Sequence, residues 1–134
     1  MREIKFRAWC LDYKCMDDHF FIQSNGIAHD TPSRTYDTPN IEIEENPNLI
    51  IMQFTGLTDK NGVGIYEGDV VRGISSYDGR VTFRPAIVGF HKGLFAVQHP
   101  NGRTVSLHDV IINNNECHII GNIHENPELI EGTK

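Results

Sequence analysis

Cysteine is scarce and odd in number in this chain of 134 residues. Cys10, Cys15 and Cys117 are too few to staple a fold of this length, which excludes a disulfide-built scaffold and suits free thiols in a reducing cytoplasm. No Cys-x-x-Cys pair occurs, and Cys117 and His118, as strand neighbours, would point to opposite faces and grip one ion poorly. No metal and no cofactor are expected. Long apolar runs are missing as well: the longest aliphatic block, Leu49 to Met52, is far short of a membrane span. The first ten residues alternate charged and apolar side chains without an uninterrupted apolar core, so neither export nor membrane insertion is expected.

Sustained helical periodicity is also absent, and with it the glycine-rich loop feeding a helix that a phosphate cradle of the nucleotide-binding type needs. The seven histidines show no H-E-x-x-H spacing. His108-Asp109 would serve as a catalytic dyad only if the fold brought a nucleophile close, with Ser106 and Cys117 as the candidates. Nothing in the spacing selects them, and no catalytic residue is assigned.

What is present is turn chemistry between β-forming runs. Seven Phe, four Tyr and one Trp in a chain that is 39% hydrophobic speak for a packed core, and the length suits one domain. The densest stretch is residues 53–71. There Asp59-Lys60-Asn61-Gly62 separates Phe54/Leu57 from Ile65/Tyr66, and Asn-Gly is suited to a type I′ hairpin turn. Glu67-Gly68-Asp69 makes a second bend before Val70-Val71. Gly56, Gly62 and Gly68 read as backbone devices, and Asp59, Glu67 and Asp69 as acids bonding nearby backbone in preference to a catalytic carboxylate cluster.

Ahead of this stretch, residues 3–9 alternate as a half-buried strand, Leu11 to Lys14 turns the chain, and His19 to Ile22 returns as a second strand. Residues 28–48, with three prolines, read as a long surface excursion with a brief edge strand at 41–43. Beyond it, turns at Asp78-Gly79, His91-Lys92-Gly93 and Pro100-Asn101-Gly102 divide a meander. Pro85 within the strand from Val81 to Phe90 calls for an edge or a bulge. A helical turn at 108–112, a last strand at 117–123 and a terminal helix opened by Asn126-Pro127 complete the chain.

The fold expected is mainly β, a β-rich α+β protein: a small curved sheet or SH3-like barrel with an N-terminal strand pair and a short C-terminal helical turn. The single domain would comprise N-terminal strands (1–27), a long loop (28–48) and a barrel-like core (49–134). Phe54, Ile65, Val70, Val88, Phe95, Val97, Val105, Ile119 and Ile120 are its expected interior.

Charge is unevenly distributed around the net −6. Residues 17–69 hold ten acids against Arg34 and Lys60, whereas residues 70–108 set Arg72, Arg80, Arg84, Lys92 and Arg103 against Asp78. Those five cations, with Tyr77, Phe83 or Phe90 for stacking, define a nucleic-acid-binding alternative.

Four ordered motifs carry a family resemblance: residues 2–9 (REIKFRAW), Gln53 to Leu57 followed by Asp59 to Gly62, Ile65 to Val71, and Ile120 to Ile123 with Glu125 to Leu129. On these the chain resembles the YopX family of phage and prophage proteins. The resemblance implies a small, β-rich, phage-encoded accessory protein in the cytoplasm of a bacterial host cell, and it carries no activity onto any residue. The function expected is a non-enzymatic protein-interaction module. Its partner would be an unidentified phage or host protein or a second copy of the chain, with nucleic acid as the alternative partner and no membrane.

Overall fold

The structure, a computed structural model, describes residues 2–17, 19–30, 48–75, 77–112 and 115–131. The chain divides into two compact units, Arg7–Met52 and a larger one made of Met1–Phe6 with Gln53–Lys134. The protein is mostly β with few short helices.

In the smaller unit, β1 (Phe6–Cys10) turns at Leu11 to Lys14 and pairs antiparallel with β2 (Cys15–Asp17), setting Cys10 opposite Cys15. The partner returning on β1 is therefore this three-residue strand and not the run ending at Ile22. That run, β3 (Phe20–Ile22), pairs instead with β4 (Ala28–Asp30), across a turn in which Gly26 has φ 86° and Asn25 Oδ1 accepts the Ile27 N–H at 3.1 Å. Residues 28–30, expected to belong to the long excursion, are therefore a strand. Ala28–Asp30 is a strand because β3 supplies its ladder, and the His29 ring stacks on Phe21 with centroids 5.1 Å apart. Residues 31–47, including the edge strand expected at 41–43, lie outside the described residues. Ala8, Cys10, Ala28 and Leu49 form this unit's core, with Phe20 and Ile51 packed against it.

The larger unit takes up the second half of β5 (Leu49–Thr58), which pairs with β6 (Gly64–Tyr66). The connecting turn differs from the type I′ geometry expected of Asn-Gly. Gly62 has φ 80° while Asn61 stays at negative φ, and the Gly62 N–H donates to Asp59 O as the Asp59 N–H donates to Val63 O. This is the longer loop closed by one left-handed glycine. Asp59 causes the difference, because its side chain accepts the Asn61 and Val63 N–H groups and holds Asn61 on the ordinary side of φ.

A five-stranded antiparallel sheet follows, in the order β10-β9-β8-β7-β11. Its strands are β7 (Asp69–Ser75), β8 (Val81–His91), β9 (Leu94–Gln98), β10 (Thr104–Ser106) and, after α1 (Leu107–Ile112), β11 (Asn115–Asn122), with α2 (Glu128–Glu131) closing the chain. Pro85 lies in a bulge: Val71 faces Ala86 and Gly73 faces Phe83, so Arg84 and Pro85 together oppose Arg72. The bulge lets proline, which has no N–H to donate, occupy an interior strand, and it adds curvature to a sheet that curls into a half-barrel.

Ile65, Val71, Ala86, Val88, Val97, Leu107, Val110 and Cys117 form the core of this unit, with Phe95, Val105 and Ile119 packed against them. The expected interior therefore holds for most of its members. Val71, Ala86, Leu107, Val110 and Cys117 join it because the curl and α1 close over one face of the sheet. Among the described residues no helix is long and apolar enough to cross a membrane.

Candidate functional site

A set of chemically competent side chains gathers where the 59–62 loop meets β11. Asp59 is buried; its Oδ1 accepts the N–H groups of Asn61 and Val63, both at 2.9 Å, and its Oδ2 accepts the Ile119 N–H at 3.3 Å. The Lys60 N–H donates to Cys117 O at 2.9 Å, and Lys60 Nζ lies 2.9 Å from Glu116 Oε1. Glu116 Oε2 is 3.4 Å from His118 Nε2. These two partners hold the Glu116 carboxyl below the usual carboxylate range, the bond from Lys60 contributing most.

Cys117 turns the other way, into the core, and burial with the nearby Asp59 charge pushes its thiol up to about 11. A thiol so placed stays protonated at neutral pH and is a poor nucleophile. The other two acids of residues 53–71 are likewise engaged by backbone: Asp69 Oδ2 accepts the Tyr66 N–H at 2.8 Å, and Glu67 Oε1 the Gln53 N–H at 2.9 Å. These acids brace corners of the fold. His108 Nδ1 and Asp109 Oδ1 are 3.9 Å apart with both side chains more than half exposed, while Cys117 is in the core and Ser106 lies at the end of β10.

The five cations of the basic segment take different positions. Arg80, in the β7–β8 turn, lies 3.7 Å from Asp78. Arg103, in the β9–β10 turn, shares that end of the antiparallel sheet, whereas Lys92, in the β8–β9 turn, stands at the opposite end. Arg84 is exposed beside the bulge. Arg72 opposes His118 across β7 and β11, and its Nε is buried with no hydrogen-bond partner among the described residues. The sequence clusters these charges; the meander distributes them over two ends and the interior strands β7 and β8.

A groove that the sequence did not announce opens along β8, β9 and β10. It is about 420 Å³ and is lined by His91, Lys92, Leu94, Ala96, Thr104 and Ser106. Small residues create it: Gly89, Ala96 and Ser106 lie in register across three adjacent strands. The His91 ring folds back over Gly89, where an added Cβ would lie 3.0 Å from Nε2. The signal was a spacing across strands, which cannot be read until their register is known.

A mainly antiparallel chain with a curled sheet, acids engaged by backbone donors and a C-terminal Asn-Pro corner is the class of protein these observations define. The YopX protein family model matches residues 5–131, and the chain belongs to that family. Two solved structures are similar over nearly their whole length. Protein EF1440 from Enterococcus faecalis shares 28% identity at a TM-score of 0.64, covering 97% of this chain and 99% of that one. YopX from Bacillus subtilis shares 24% identity at a TM-score of 0.62, covering 100% of both chains, and so bears on the fold. No curated protein matches the chain.

Proposed function

We propose that this chain is a phage-type accessory protein acting as a non-enzymatic interaction module in the host cytoplasm. The observation that carries the reading is Phe90. It ends the alternation Ala86, Val88, Phe90 on the core side of β8, yet it is 56% exposed because the strand runs past the end of the core. Its ring is held against Phe95, with centroids 5.2 Å apart and planes at 71°. An exposed aromatic side chain already fixed by a neighbour loses little freedom on binding, which is the property of an interface anchor. The engagement of Asp59, Glu67, Asp69 and Glu116 in bracing supports contact in preference to covalent chemistry.

The occupant expected over Phe90 is another protein, of phage or host origin, presenting an apolar pocket. A photo-crosslinking amino acid at position 90, with one at the exposed Tyr13 as control, tests this in induced cells. One defined adduct specific to position 90, lost on competition with the wild-type chain but not with Phe90→Ser, is the expected result. A second copy of the chain in the adduct would make the module self-associating. Equal labelling from both positions would overturn the reading.

A further inference from the structure

We propose that the groove on β8, β9 and β10 binds a small phosphate monoester. It is separate from the Phe90 surface, because Phe90 and His91 are consecutive on a strand and point to opposite faces. The groove is of the size that takes a small organic molecule. Its polar lining is one-sided: the Lys92 ammonium, a His91 imidazole N–H and the hydroxyls of Thr104 and Ser106 are available as donors, and no carboxylate is among the lining residues. Four donors from two strands and a turn suit a tetrahedral oxyanion with three terminal oxygens better than a planar carboxylate with two. Leu94, which is exposed, leaves an apolar surface for the organic part, with the small Ala96 forming the floor.

The turn that carries Lys92 supports the same conclusion. Lys92 has φ 50° and Gly93 φ 83°, so both central residues of this two-residue hairpin are left-handed, a geometry in which Asn or Gly is favoured at the first place. At Asn25-Gly26, Asn61-Gly62, Asp78-Gly79 and Asn101-Gly102 the chain sets Asn or Asp before the turn glycine, and at Glu67-Gly68 a glutamate, each of them at negative φ. At the β8–β9 turn, where the residue before the glycine itself adopts positive φ, the chain carries a lysine. Lys14, in the β1–β2 turn, adopts the same conformation at φ 51°, and at Lys92 the strained position also sets a cation on the rim of the groove.

The test is an amide NMR titration of the whole chain with phenyl phosphate, inorganic phosphate and benzoate. Phenyl phosphate is expected to give saturable shifts confined to residues 89–96 and 104–106, with inorganic phosphate moving the same amides more weakly and benzoate least. Lys92→Asn should raise the thermal midpoint, since it relieves the turn, while weakening phenyl phosphate by roughly tenfold, about the share of one charge-assisted hydrogen bond. Thr104→Val should weaken it without changing the fold. Absence of saturable shifts, shifts elsewhere, benzoate binding as tightly as phenyl phosphate, or a well-folded Lys92→Asn chain with undiminished affinity would each overturn the proposal.

Discussion

Asp59 Oδ2 accepts the backbone N–H of Ile119, sixty residues away, at 3.3 Å. With Oδ1 engaged by Asn61 and Val63, one buried carboxylate closes a hairpin loop and ties it to β11. Asp59→Ala would leave three backbone donors without this acceptor and should cost about 3 kcal/mol. Asp59→Asn keeps one oxygen but turns an amide N–H₂ toward a donor, so an intermediate loss is expected. Urea unfolding should rank the chains wild type, Asn, Ala; equal stability of the two variants would show that charge and not acceptor geometry matters at this position.

Gly121 is required for close approach. It pairs with Val70 across β7 and β11, and a Cβ there would lie 2.5 Å from Asn126 Oδ1 and 2.7 Å from Leu129 Cδ1. Leu129 could move, but Asn126 is held: its N–H donates to Asn122 O at 2.8 Å and its Oδ1 accepts the Asn122 N–H at 3.4 Å. Gly121→Ala should destabilise by roughly 2 kcal/mol, the usual range for overpacking. Hydrogen exchange should accelerate first at residues 126–131. Unchanged protection there would show that the corner opens at no cost.

His29 carries an unsatisfied polar ring. It is 6% exposed, neither ring nitrogen has a hydrogen-bond partner among the described residues, and the ring stacks on Phe21. Replacing an unpaired buried polar ring by an apolar ring of similar shape removes a desolvation penalty, so His29→Phe should stabilise by about 1 kcal/mol. Thermal unfolding checks this, and a lower midpoint would mean that Phe overfills the site.

Acid should weaken the protein below neutrality through His99. Burial first, and the nearby Arg103 second, hold its imidazole below the ordinary value of 6.5. The unfolded chain therefore takes up that proton more readily than the folded one. Stability is intact above about 6.5 and declines as pH falls through that value toward the depressed folded pKa. His99→Gln should flatten that part of the stability profile; an unaltered slope would assign the acid sensitivity to another group. At lower pH, protonation of Glu116 removes the Lys60 and His118 contacts and adds a second decline.

Much of this architecture was legible locally. Asn or Asp before Gly marked turns whose geometry is set within four residues, as at Asp78-Gly79, where Gly79 takes φ 71°. Pro85 called for a bulge, and the ladder shifts opposite it. Asn126-Pro127 announced α2, with the Leu129 N–H donating to Asn126 O at 3.1 Å. The brief pairing of Cys15–Asp17 with β1 was not visible, because three residues carry too little alternation to signal a strand. The candidate site was hidden more fully. Gly89, Ala96 and Ser106 are unremarked small residues until cross-strand register sets them side by side.

By itself the order of residues determined where the chain turns, which runs are extended and that the product is mainly β, since backbone preference and alternation act over a few neighbours. Only the tertiary structure decided that β11 pairs with β7, that Asp59 reaches Ile119, and that five clustered cations separate while a groove opens behind Lys92. Those outcomes depend on sheet order and register, which arise when distant strands compete to bury the same apolar face.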